Sequence, residues 1–76
     1  MSRSDDERLH DIVEATSEMA DVVALGVERF RSEPLLQRAA ERLLEIIGEA
    51  ANALTPERRA QFADLPWVEI TRLRAS

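Results

Sequence analysis

The chain has 76 residues and a mass of 8.6 kDa, enough for one small domain. It has no cysteine and one histidine, His10, which excludes disulfides, thiolate zinc sites and His-rich metal clusters. Fifteen acids oppose ten arginines, with no lysine, and the net charge of −5 argues against non-specific binding of nucleic acid by the whole surface.

Apolar residues make up 45% and charged residues 33%, which suits a folded helical chain. No apolar run is long enough for a bilayer and no signal-like segment opens the sequence, so a soluble, cytoplasmic protein is expected, with no membrane partner. A core this small leaves apolar surface for a helical partner or a second copy to cover. Charge is uneven: residues 1–54 hold twelve acids and six arginines, whereas residues 55–76 hold three acids and four arginines. A local arginine site therefore remains open in the C-terminal part.

Ser4 followed by Asp5, Asp6 and Glu7 marks a helix start, with a capping hydroxyl and acids that complement the helix dipole. Leu9, Ile12, Val13, Thr16, Met19, Ala20, Val23, Val27 and Phe30 recur at steps of three and four, and predict one helix from Asp5 to about Arg29. Gly26 weakens that helix locally, by roughly 1 kcal/mol relative to alanine. Ser32-Glu33-Pro34 is the break, with Ser32 as cap and Pro34 in the first turn of the next helix. A wide stripe from Leu36 to Leu54 predicts a second long helix that packs on more than one neighbour. Gly48, in its middle, points to close approach of another backbone.

Thr55-Pro56-Glu57 starts a short third helix to about Phe62, and Pro66 opens the stub of a fourth with Trp67, Ile70 and Leu73 on one face. The fold class is all-α, an antiparallel bundle of two long helices, one short helix and the stub of a fourth, expected to dimerise. Ile12, Met19, Val23 and Phe30 should pack against Leu36, Leu43, Ile47 and Leu54, with Trp67 covering the end of that core. His10, among Asp6, Asp11 and Glu14, reads as a surface residue. Glu45 and Glu49, one turn apart, read as facing solvent or an arginine. Glu14, Glu18, Glu45 and Glu49 could form a carboxylate metal bundle only without the Glu-x-x-His motifs such sites use.

Three strings carry a resemblance. Arg8-Leu9-His10-Asp11-Ile12-Val13-Glu14-Ala15, Arg42-Leu43-Leu44-Glu45-Ile46-Ile47-Gly48-Glu49-Ala50-Ala51, and Leu54-Thr55-Pro56-Glu57 followed by Leu65-Pro66-Trp67-Val68-Glu69-Ile70 resemble, in order and spacing, the HepT-like proteins of the HEPN superfamily. The resemblance spans nearly the whole chain, and Ile-Gly-Glu-Ala is its most specific string. It implies a single HEPN-like helical domain over residues 1–76, C-terminally incomplete. It implies a ribonuclease toxin of a toxin–antitoxin pair, acting on RNA as a homodimer, with a nucleotidyltransferase-like antitoxin as partner and no metal or other cofactor.

The family's site is an arginine, usually followed by asparagine, with a histidine about one helical turn further on. A histidine can move protons between the 2′-hydroxyl and the leaving oxygen of RNA, and an arginine can stabilise charge on the phosphate. Counting from Trp67, the family's arginine falls on Arg74, Ala75 replaces the asparagine, and no histidine follows before Ser76. Arg74 is thus the one catalytic residue carried over, and this chain by itself is expected to be inactive. The alternative is a non-catalytic helical module that binds itself or an antitoxin-like partner.

Overall fold

The computed structural model describes residues 4–74. They form five helices: α1 (Asp5–Ala24), α2 (Val27–Ser32), α3 (Pro34–Ala53), α4 (Pro56–Ala60) and α5 (Trp67–Thr71), with no strand among the described residues. This is the expected all-α bundle, with one correction. The first long helix is two helices, because Gly26 adopts φ +94° and ψ 156°, a backbone region open essentially only to glycine. Val23 lies on the stripe of the expected continuous helix but is 72% exposed. It lines an open apolar groove with Met19, Val27, Phe30 and Leu44 instead of packing in the core.

Local chemistry explains each helix end. Ser4 Oγ accepts the Glu7 N–H at 3.2 Å while the Glu7 carboxylate accepts the Ser4 N–H at 3.2 Å, a reciprocal capping box at the head of α1. Glu33, not Ser32, occupies the cap of α3, and Pro34 follows in its first turn. The Glu33 carboxylate accepts from Arg29 Nε at 2.6 Å and Nη2 at 3.2 Å, and this two-pronged pairing holds its carboxyl below the usual range. Gln37 donates to the Phe30 and Arg31 carbonyls at 2.9 and 3.2 Å, satisfying acceptors that the end of α2 leaves open.

The core lies between α1 and α3 and is built largely of small side chains: Ala15, Ala40, Leu43, Gly48, Ala50, Ala51 and Leu54 are buried. Of the expected packing residues, Leu43 and Leu54 are fully inside, while Ile12, Met19, Phe30, Leu36 and Ile47 are half-buried. Alanine and glycine on facing helices permit close approach at the cost of apolar volume. The two long helices run antiparallel, since the start of α1 meets the end of α3. There the Thr55 hydroxyl and N–H donate to the Asp5 carboxylate at 2.6 and 3.2 Å. Arg58 pairs with Asp6 at the same junction. No helix among the described residues is long and apolar enough to cross a membrane.

Candidate active site

Arg74, the residue carried over from sequence, lies just beyond α5 and is exposed. Its position is set from below by α3. A methyl group placed on the Gly48 Cα would lie 2.6 Å from the Leu73 carbonyl carbon and 2.9 Å from the Arg74 Cα, and closer still to the Arg74 backbone nitrogen. Only a residue without a side chain lets the backbone of Leu73-Arg74 rest there. The close approach expected of Gly48 is therefore real, and it falls on the candidate catalytic residue. The Ile-Gly-Glu-Ala string on α3 and the arginine after α5 form one structural unit. Ala75 and Ser76, to which the sequence comparison with the family's asparagine refers, lie outside the described residues.

An arginine supplies a permanent, planar positive charge. It can neutralise a phosphate but cannot act as an acid or base near neutral pH. His10 sits on the exposed face of α1, where its Nε2 is 3.2 Å from the Glu14 carboxylate, as expected of a surface residue.

The carboxylates expected to be solvent-facing or arginine-paired are so. Glu45 is 3.8 Å from Arg42, and Glu49 is exposed on a groove between α1 and α3 of about 310 Å³ that also bears Arg8, Asp11, Glu14, Glu18 and Arg42. Among the described residues, no three His, Cys, Asp or Glu side chains come together as a metal-binding group. The four-glutamate arrangement is not assembled, since Glu45 does not line the groove that Glu14, Glu18 and Glu49 share.

Trp67 departs in part from its expected place at the end of the main core. It is half-buried, and its indole N–H donates to the carbonyls of Arg59 and Phe62 at 3.1 and 3.0 Å, closing the end of α4. Beside it, Arg59 Nε is buried without a hydrogen-bond partner among the described residues. Sequence reading did not single out Arg59. The signal available was the excess of arginine over acid in residues 55–76.

A family model described as "Ribonuclease HepT-like" matches residues 7–75. Over 53 residues the chain is 43% identical to a protein named "Putative RNase" in Caldanaerobacter subterraneus subsp. tengcongensis, covering 70% of this chain and 47% of that protein. Over 67 residues it is 32% identical to another protein named "Putative RNase" in Methanocaldococcus jannaschii, covering 87% of this chain and 62% of that protein. The chain thus spans about half the length of the first relative and under two thirds of the second. No solved structure matches it.

Proposed function

The chain belongs to the ribonuclease HepT-like family, and from that membership we propose that it forms part of a metal-independent ribonuclease toxin in which Arg74 contacts the scissile phosphate. The 2′-oxygen of RNA attacks the adjacent phosphorus, the bond to the 5′-oxygen breaks, and a proton passes from the nucleophile to the leaving oxygen through acid–base groups. Arg74 stabilises the negative charge on the non-bridging oxygens during this displacement. The observation that supports the reading is the docking of the Arg74 backbone on Gly48, which ties the root of this side chain to α3.

The proton-transfer role needs a histidine near Arg74. Within these residues the only histidine is His10, engaged with Glu14. Residues 1–76 alone are therefore proposed to bind RNA without cleaving it, and cleavage to require a histidine about one turn beyond Arg74. The proposed partners are a second copy and a nucleotidyltransferase-like antitoxin, in the cytoplasm. The second reading, a non-catalytic association module, is favoured by the apolar groove beside Val23, Val27 and Leu44, which lie at 72%, 59% and 36% exposure. Sedimentation that shows only monomer, with and without antitoxin, would count against it.

The deciding experiment is cleavage of single-stranded RNA by the full-length protein in chelator. Arg74→Ala should reduce the rate by about 100-fold or more, with melting unchanged because Arg74 is exposed. Undiminished cleavage by the variant removes Arg74 from the site. No cleavage by a full-length protein that carries the histidine leaves the association reading.

A further inference from the structure

We propose that Arg59 and Trp67 form a shelf that holds one nucleotide of single-stranded RNA, a binding site apart from Arg74; the proposal rests on the ribonuclease reading for the identity of the strand. Both residues line a shallow concavity of about 340 Å³ whose remaining walls are Pro56, Ala60 and Ala63. The walls are small and carry no acid, so an aromatic ring can approach Trp67 from the open side.

Three observations fix the ligand's chemistry. First, Arg59 has no acidic partner among the described residues and is the arginine there whose Nε is buried and unmatched. Arg29 pairs with Glu33, Arg42 with Glu45, and Arg58 with Asp6 and Gln61. Arg59 makes no such pair among the described residues, and its Nε is left unmatched where water cannot reach it. An anionic ligand in the concavity that Arg59 lines would supply the missing counter-charge.

Second, Trp67 is already oriented. Its N–H is held by the Arg59 and Phe62 carbonyls, so the ring loses little freedom on stacking with a base. Third, charge is segregated. The groove between α1 and α3 carries four acids, Asp11, Glu14, Glu18 and Glu49, against two arginines, Arg8 and Arg42, whereas the shelf is lined by one cation and no acid. Trp67 opens α5 and Arg74 lies just beyond its end. A base on the shelf and a phosphate at Arg74 can belong to one short strand.

The test uses the 76-residue chain and a single-stranded 2′-O-methyl oligoadenylate, which lacks the nucleophilic hydroxyl and cannot be cut. Trp67 is the only tryptophan in these 76 residues, so stacking should quench its emission. Arg59→Gln should weaken binding at least about fivefold and reduce the salt slope by about 0.7. Arg74→Ala, which removes a proposed phosphate contact, should weaken binding while the saturated complex still quenches Trp67. Circular dichroism checks that each variant is folded.

Absence of quenching, or Arg59→Gln binding as tightly as the wild type, overturns the shelf. So does an Arg59→Gln variant impaired only towards a protein partner. The two readings separate cleanly. Quenching that depends on Arg59, with no RNA cut by the full-length protein, keeps the shelf and removes the ribonuclease. Cleavage by the full-length protein with KM unchanged by Arg59→Gln does the reverse.

Discussion

Gly48 faces the backbone of Arg74 across the junction of α3 with the end of α5, so closely that a methyl group on Gly48 would come within 2.9 Å of the Arg74 Cα. Two effects compete when Gly48 is replaced by alanine. Helix propensity favours alanine by about 1 kcal/mol. The obstruction is backbone, which cannot swing aside as a long side chain would, so α5 must lift. The backbone obstruction outweighs that gain, so Gly48→Ala is expected to lower the melting temperature and to displace Arg74. A displacement of about 1 Å at a catalytic group costs about 100-fold in rate. RNA cleavage by the full-length variant, set beside its thermal melt, checks this. Wild-type cleavage would show that the docking does not position Arg74.

Much of this unit was legible in the sequence, for identifiable reasons. The helix starts at Ser4, Pro34 and Thr55 are set by local capping chemistry, which acts over a few residues. Gly48 stood out because a glycine in a strong helical stripe asks for an explanation. The identity of the approaching backbone is long-range and was not written in any spacing. Gly26 was misjudged because the apolar period runs through it unbroken, and the period outweighed the glycine. A glycine just after the last residues of a helix is itself a stop signal, and here it was the stronger one. Arg59 could not be found from sequence, because being unpaired is a property of the surroundings.

Leu54 and Leu35 make a matched pair. Leu54 ends α3 and is 2% exposed, whereas Leu35 begins it and is 77% exposed. Leu54→Ala removes buried methyl groups from a core poor in large side chains, and should cost about 2–5 kcal/mol. Leu35→Ala should stay within about 0.5 kcal/mol. Urea unfolding of the two variants decides. Equal effects would mean that Leu35 is covered in solution, as the association reading requires of some exposed apolar residue.

The link between α1 and α4 should be sensitive to acid. The Thr55 hydroxyl chiefly holds the Asp5 carboxyl below the usual range; desolvation opposes it, and the Thr55 backbone N–H and then Arg58 add to the lowering. A depressed carboxyl stabilises the fold fully above its unfolded value, about 3.9, and that contribution is lost as pH falls through the folded value. Asp5→Asn should therefore lower the melting temperature at pH 7 and matter much less near pH 3. A variant whose deficit is the same at both pH values would show that the charge of Asp5 is not what holds the junction.

Gly26 poses the opposite case from Gly48. A methyl group added there meets nothing within 4 Å, so no contact opposes it. The whole penalty lies in the backbone, since φ +94° with ψ 156° suits glycine almost alone. Gly26→Ala should destabilise the protein by about 1–3 kcal/mol, and leave the catalytic rate of the folded fraction unchanged because the contact of α3 with Arg74 is elsewhere. Urea unfolding and cleavage by the same sample separate the two. Stabilisation by alanine would instead mean that α1 and α2 join as one helix through residue 26, which is the arrangement the apolar period alone predicts. In that case Val23 would turn away from the groove it now shares with Val27 and Phe30, and the groove would close.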